Sequence, residues 1–152
     1  MSQQNVNISN RRAYFDFEIL DKLTAGIMLT GTEIKSIREG KANINEAFCI
    51  VTKDDELFIR NMHITEYSRG SYYNHEPLRP RKLLLNKKEI VRWGSKIKEK
   101  GLTLVPLKVF LSDRGFVKIE IGLAKGKKNH DKRDSIKAKD SKREIDRVMK
   151  RY

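Results

Sequence analysis

The apolar residues of this chain change their pattern near residue 123. Val117, Ile119, Ile121 and Leu123 alternate with Lys, Glu and Gly, and this period of two predicts an antiparallel strand with one buried face. From residue 124 onward, large apolar side chains are sparse and charged ones dominate. We therefore predict a flexible leader over residues 1–10, a folded domain over residues 11–123, and a basic C-terminal tail over residues 124–152.

Local signals divide the predicted domain into short elements. We predict strands over residues 14–20, 25–29, 48–52, 57–62, 102–111 and 116–123. A Thr30–Glu33 capping box predicts a helix over residues 31–39, and Asn86 as N-cap with Gly101 as stop predicts a second. Pro106 predicts an edge position or a bulge in its strand. Six short strands close most simply as a barrel, so we predict a mainly β fold with α-helices: a small antiparallel β-barrel with two or three helices.

The charge predicts a polyanionic partner. The 152 residues carry a formal net charge of +13, and the last 29 contribute +7 of it. Nucleic acid is the default ligand and an anionic membrane the weaker alternative, because the tail lacks the apolar face that membrane binding needs. The lone Cys49 in an apolar run predicts a buried side chain. A polar N-terminal stretch without an apolar signal region predicts a cytoplasmic location.

Residues 65–81 interrupt the strand pattern with a mixture of aromatic and basic side chains. This mixture comprises Tyr67, Tyr72, Tyr73, Arg69, His75, Arg79 and Arg81. It is typical of surfaces that stack bases and neutralise phosphates, and equally of a surface loop whose tyrosines pack on the domain. Arg11 and Arg12 also have two interpretations. They contact phosphate, or they are solvent-exposed residues at the start of the first predicted strand.

Catalytic and metal-binding motifs are missing from the sequence. The three histidines lack metal-ligand spacing, and the chain has no HExxH, CxxC, P-loop or GxSxG motif. His130 and Asp131 beside lysines leave RNA cleavage by general acid–base catalysis as an alternative. We predict a binding protein that is not an enzyme and that uses no metal and no cofactor.

Residues 124–133 read Ala-Lys-Gly-Lys-Lys-Asn-His-Asp-Lys-Arg. This run resembles the AKGKK-x-HDKR signature of the SsrA-binding protein (small protein B) family, and the resemblance continues through residues 10–15, 31–36, 40–44, 79–86 and 101–107. It implies an OB-fold-like barrel that binds the tRNA-like domain of transfer-messenger RNA (tmRNA) and delivers it to stalled ribosomes. It further implies that the tail enters the small-subunit decoding centre and the empty mRNA channel. The short apolar stripe of Ile145, Val148, Met149 and Tyr152 predicts a tail that is disordered when free and helical on its partner, the ribosome. We predict a monomer.

The resemblance also implies roles for particular residues. Those expected to bind tmRNA are Asn10, Arg11, Arg12, Thr24, Leu84, Asn86, Lys125, Lys127 and Lys128. Those expected at the decoding centre are Gly126, His130, Asp131, Lys132 and Arg133. Those expected in the mRNA channel are Lys137, Lys139, Lys142, Arg143, Arg147, Val148, Met149 and Lys150. Thr24 stands where many relatives carry Glu, and Ser141 where some carry Trp. The alternative function is that of a general chaperone that binds single-stranded RNA without preference for a tRNA-like shape.

Overall fold

Nine strands and three helices make up the described part of the computed structural model, which covers residues 6–70 and 73–127. The helices are α1 (Arg11–Asp16), α2 (Gly31–Arg38) and α3 (Lys87–Lys100). The strands are β1 (Asn7–Ser9), β2 (Phe17–Ile27), β3 (Ala42–Asn43), β4 (Phe48–Val51), β5 (Leu57–Arg60), β6 (His63–Ile64), β7 (Arg81–Leu84), β8 (Thr103–Leu111) and β9 (Val117–Gly126). The predicted mainly β character with helices is confirmed.

The strands form one large antiparallel sheet and one small one. The large sheet has the order β1-β8-β4-β5-β7-β2-β9, and β9 also pairs with β8. Six strands therefore pair in a closed cycle, with β1 attached outside it on β8. β3 and β6 form the second, two-stranded sheet.

The core lies on one face of these strands. The alternation in β9 predicted that face correctly, because Val117, Ile119, Ile121 and Leu123 are all at most 8% exposed. Helix α3 contributes Trp93, which is 1% exposed within the same cluster. A second, smaller apolar cluster lies under α1 and includes Ala13 and Ala124.

The first predicted strand is partly wrong. Residues 11–16 form α1, and a single strand, β2, then runs from Phe17 through Ile27 where two strands were predicted. Asn10 explains the difference: its side-chain oxygen accepts from the amide of Ala13 at 3.1 Å, and its Nδ2 donates to the Pro106 carbonyl at 2.8 Å. A cap held by a residue 96 positions away overrides the strand preference of the aromatic residues that follow.

The described end of the predicted leader is ordered as a strand. Residues Asn7–Ser9 pair with β8, with Asn7 opposite Phe110 and Ser9 opposite Lys108. This edge of β8 is open to a further strand, because β4 pairs with β8 only at Leu104, near its other end. At Pro106 the β8–β9 register shifts, which confirms the bulge predicted from that proline.

Strand β9 continues beyond the predicted end of the domain. Lys125 pairs with Glu18 and Gly126 with Phe17, so the sheet extends through residue 126. The predicted tail beyond residue 127 lies outside the described residues. Among the helices of the described ranges, none is both long enough and apolar enough to cross a membrane.

Candidate nucleic-acid interface

One outward-facing row of side chains crosses four adjacent strands of the large sheet. The register places Leu84 on β7 opposite Gly26 on β2, Gly26 opposite Lys118 on β9, and Lys118 opposite Phe110 on β8. Leu84 packs directly over Gly26, where an added Cβ would lie 3.3 Å from the Leu84 Cβ. Leu84 nevertheless stays 49% exposed, so it forms an apolar ridge on the surface.

The next row carries charge. Thr24 on β2 lies opposite Glu120 on β9, which lies opposite Lys108 on β8. The Glu120 carboxylate is 3.8 Å from the Nζ of Lys22 and 3.9 Å from the Nζ of Lys108. Two lysines share one carboxylate, so this row keeps a net positive charge beside exposed Thr24.

Sequence reasoning did not select Lys22, Lys108 or Lys118 as site residues. For Lys118 a signal was present, because it occupies a polar position in the alternation of residues 117–123. Alternation shows which side chains face outward, but it does not show which outward face binds a ligand.

A shallow depression brings together three residues that the resemblance assigns to RNA binding. Thr24, Leu84 and Asn86 line it together with Leu85 and Glu89, and its volume is about 330 Å³. Thr24 and Asn86 are 62 positions apart in the chain, and the β2–β7 pairing is what brings them close. The depression therefore offers a hydroxyl, an amide and an apolar ridge on one surface.

Asn86 has less of a structural role than its N-cap position suggests. It precedes α3, but its side chain makes no capping hydrogen bond. Its Nδ2 donates only to the Glu89 Oε1, at 3.4 Å, and the residue is exposed. Only the backbone carbonyl of Asn86 takes part in the helix start, so the side-chain amide is available to a ligand.

The basic end of β9 is held against the C-terminal end of α1. Lys127 donates from its backbone amide to the Asp16 carbonyl and from its Nζ to the Tyr14 carbonyl, both at 3.0 Å. Lys125 is exposed beside it. The Nζ of Lys22 lies 5.5 Å from the centre of the Tyr14 ring, within cation–π range. Lys22 thus lies between the row formed by Thr24, Glu120 and Lys108 and the basic end of β9.

The three predicted residues at the start of the domain have different environments. Asn10 is 2% exposed and uses its amide inside the protein, so it offers no surface to RNA, contrary to the prediction. The guanidinium of Arg12 lies 2.6 Å from Glu46 and 3.5 Å from Asp16. Arg11 and Arg12 are both exposed on α1, and the Arg12 side chain stays 60% exposed in spite of these two ion pairs.

Most of the cations in the 65–81 segment have structural partners. Glu33 on α2 accepts from Arg79 Nη2 at 2.7 Å and from Arg81 Nε, and both Glu33 and Arg81 have fully buried side chains. Arg81 also donates to the Met62 carbonyl at 2.6 Å. His75 is 7% exposed, with Nε2 2.8 Å from the Ile64 carbonyl. Arg79, Arg81 and His75 thus have structural roles that hold the segment in place.

The Glu33 carboxyl titrates in an unusual environment. Burial raises its pKa, but the backbone amide of Thr30, Arg79 and Arg81 all favour the ionised form, and the net effect lowers the pKa. The ion pair was missed because Glu33 already had a role in the predicted capping box. That role is present too, as the Thr30 amide donates to Glu33 Oε1 at 2.9 Å.

Of the remaining predicted site residues, only Gly126 lies within the described ranges. Gly126 is exposed at the end of β9. Lys128, residues 130–133, which were predicted at the decoding centre, and the residues from 137 to 150 that were predicted in the mRNA channel lie outside the described residues. Within residues 6–70 and 73–127, no group of three His, Cys, Asp or Glu side chains is placed to hold a metal ion.

A mainly antiparallel β domain with cations and an apolar ridge on its outer face belongs to the class of small basic proteins that bind polyanions. The family follows from comparison with known proteins. The family model described as "SmpB protein" matches residues 7–151, and the chain belongs to this family.

Relatives match over nearly the whole chain. The SsrA-binding protein of Flavobacterium johnsoniae is 56% identical over 149 residues, covering 98% of each chain. That of Bacteroides thetaiotaomicron is 54% identical over 151 residues, covering 99% of this chain and 100% of its own. Among solved structures, a chain described as "tmRNA-SmpB: a journey to the center of the bacterial ribosome" superimposes with a TM-score of 0.68 at 45% identity, covering 86% of this chain and 94% of that chain.

Proposed function

We propose that this protein binds tmRNA and brings it to stalled ribosomes for rescue by trans-translation. Its membership of the SmpB family supports the proposal, since its relatives are SsrA-binding proteins and a structural neighbour is a tmRNA–SmpB complex of the ribosome. The observation that carries it is the outer face of β7, β2 and β9, where exposed Thr24, Leu84 and Asn86 meet on a positively charged surface.

The domain is proposed to be an OB-fold-like barrel. Support comes from the closed cycle of six antiparallel strands, with the core inside it. Such barrels bind oligonucleotides on an exposed strand face, and the proposed RNA surface here is likewise a strand face. Because the backbone of that face is fixed by pairing on both sides, it suits recognition of a folded RNA by shape and by phosphate contacts.

The two ends of the molecule have different proposed tasks. Thr24, Leu84 and Asn86, with Arg11 and Arg12 and the basic end of β9, bind the tRNA-like domain of tmRNA. Gly126 and residues 130–133 are proposed to reach the decoding centre, and the basic residues from 137 to 150 the empty mRNA channel. The +7 charge of residues 124–152 suits a channel lined by RNA phosphates. Acting as a monomer in the cytoplasm, the protein positions RNA and performs no bond-breaking step.

The RNA surface is tested by Asn86→Ala. The expected result is weaker binding of a transcribed tRNA-like domain, because the exposed amide is lost while the helix start, which uses only the Asn86 carbonyl, is kept. The matched control is Asn45→Ala, an exposed asparagine in the connection from β3 to β4, which we expect to bind like the wild type. Equal affinity of Asn86→Ala and wild type across a salt titration would remove Asn86 from the site.

The same assay separates tmRNA binding from general RNA binding. A random single-stranded RNA of equal length should compete poorly against the tRNA-like domain. Equal competition would favour the single-strand RNA chaperone.

The task of the tail is tested by ending the chain after Lys127. This boundary keeps β9 complete, since its last paired residue is Gly126. We expect the shortened protein to fold and to bind tmRNA, yet to release few stalled ribosomes in a reconstituted translation system. Normal rescue by the shortened protein would show that residues 128–152 are dispensable.

A further inference from the structure

A groove of about 520 Å³ lies next to the Thr24–Leu84–Asn86 depression. It is bounded by the end of β2, by α2, and by the turn that joins β8 to β9. Leu84 lines both concavities, so the two share one wall. None of the residues expected to bind RNA from the sequence, apart from Leu84, lies in this groove.

The floor of the groove is apolar and open to solvent. Phe116 is 64% exposed, Met28 53% and Leu84 49%. Single exposed apolar side chains are ordinary, but three of them around one concave surface indicate a binding site.

Hydrogen bonds within the turn fix the backbone at Phe116. Ser112 donates from its amide to the Phe116 carbonyl at 2.8 Å, and Ser112 Oγ accepts from the Phe116 amide at 3.1 Å. Gly115 completes this turn with a φ of +83°, which a residue with a side chain rarely adopts. The aromatic side chain is therefore attached to a backbone that is already ordered, which reduces the entropy lost when a ligand stacks on it.

The rim of the groove is positively charged. Arg38 ends α2, Arg114 lies in the turn, and Lys118 lies on β9. No carboxylate lines the groove within the described residues, and in that part of the chain none of these three cations forms an ion pair. They differ in this from Lys22 and Lys108, which share Glu120. The groove therefore suits a ligand with a flat apolar part and negative charges on either side of it.

We propose that this groove binds an unpaired nucleotide of the RNA. The base stacks on Phe116 beside Met28 and Leu84, while Arg38, Arg114 and Lys118 contact the flanking phosphates. Aromatic stacking with neighbouring cations is how proteins hold unpaired bases. The inference rests on the proposed RNA-binding function and extends that surface from the depression, across Leu84, to the β8–β9 turn.

The stacking contact is tested by Phe116→Leu, which keeps an apolar side chain and removes the ring. Loss of one base stacked on an aromatic side chain lowers affinity by roughly 5- to 150-fold. We expect the affinity of Phe116→Leu for a transcribed tmRNA to fall by an amount in that range. The control is Phe48→Leu, an aromatic residue on β4 that is 38% exposed and does not line the groove. This control should bind like the wild type.

The phosphate contacts are tested by the double variant Arg38→Gln/Arg114→Gln. Affinity falls as salt rises, so the slope of log affinity against log salt concentration is negative. Losing two phosphate contacts should make this slope less steep by about 1.5. The control is Lys53→Gln/Lys98→Gln, two exposed lysines that line a different groove between β4 and α3. That control should leave the slope unchanged, which separates a local contact from a general loss of positive charge.

The outcomes distinguish this inference from the proposed function. If wild-type protein does not bind tmRNA, the proposed function itself is wrong. If wild type binds and Asn86→Ala weakens binding, but Phe116→Leu binds like wild type, only the groove proposal is overturned. A double variant with the wild-type salt slope would likewise overturn it. Thermal melting of each variant checks that it is folded, which we expect because the substituted positions are exposed.

Discussion

Replacing Glu33 by Ala should destabilise the protein more than any surface substitution. The Glu33 carboxylate is fully buried and accepts from the Thr30 amide, Arg79 and Arg81. Its removal leaves the fully buried guanidinium of Arg81 without its counter-charge. Through these contacts Glu33 joins α2 to the segment before β7, so the effect reaches beyond one helix turn.

The size of the effect follows from the burial of the pair. Removing one partner of a buried ion pair costs about 3–5 kcal/mol, because the other charge stays desolvated and uncompensated. That is a large part of the roughly 5–15 kcal/mol that holds a typical domain folded. Glu33→Gln keeps the size of the side chain and one acceptor oxygen, so it should lower the free energy of unfolding by less than Glu33→Ala.

Urea unfolding followed by tryptophan fluorescence measures this loss. The chain has one tryptophan, Trp93, which is 1% exposed in the core and therefore reports global unfolding. The control is Glu46→Ala, whose carboxylate pairs with Arg12 at 2.6 Å but whose side chain is 74% exposed. Exposed pairs contribute about 0–1 kcal/mol. If Glu33→Ala and Glu46→Ala lose the same small amount, the buried pair is not a main support of the fold.

The pH dependence provides a second measurement. Because the pKa of Glu33 is lower in the folded state than its ordinary value of 4.5, its contribution is fully present above that value. The contribution is lost as the pH falls through the lowered folded-state pKa. Wild type should therefore lose more stability than Glu33→Gln when the pH is lowered from about 5 to about 3.

Three further predictions concern the core and the first helix. Asn10→Ala should lower the free energy of unfolding by about 1–2 kcal/mol in the same urea assay, because α1 loses its cap, and Ser9→Ala, beside it and exposed, is the control. Cys49, buried and with its pKa raised to about 12, should react with a thiol reagent only after unfolding. Gly122→Val should cost about 1–3 kcal/mol, since an added Cβ lies 3.0 Å from Leu107 Cδ1 and 3.1 Å from Ile19 Cγ2. Wild-type stability of Asn10→Ala or of Gly122→Val would contradict the prediction for that variant. Labelling of Cys49 in the folded protein would contradict the prediction for the thiol.

Local patterns predicted the elements that depend on local causes. The alternation of residues 117–123 identified the buried face of β9, and the capping signals located α2 and α3 to within about two residues. These succeeded because a strand with one buried face and a helix start are both determined within a few residues.

Elements that depend on distant partners were mispredicted. Helix α1 begins at an asparagine whose second hydrogen bond goes to Pro106, and β1 forms because β8 has an open edge. Nothing in the sequence distinguishes Arg79, Arg81 and His75 from the exposed basic residues of the same chain. Only the position of Glu33 and of the Met62 and Ile64 carbonyls makes them structural groups, with Arg81 and His75 buried and the Arg79 side chain 39% exposed.

The order of amino acids by itself determined the mainly β class, the strongly basic charge and the family, because composition, periodicity and motif spacing are properties of the linear chain. Tertiary structure decided which polar residues remain available to a ligand, because availability depends on partners far away in the chain. Asn10 and Asn86 show the difference. Each precedes a helix, but Asn10 is buried against Pro106, whereas Asn86 is exposed beside Thr24 and Leu84.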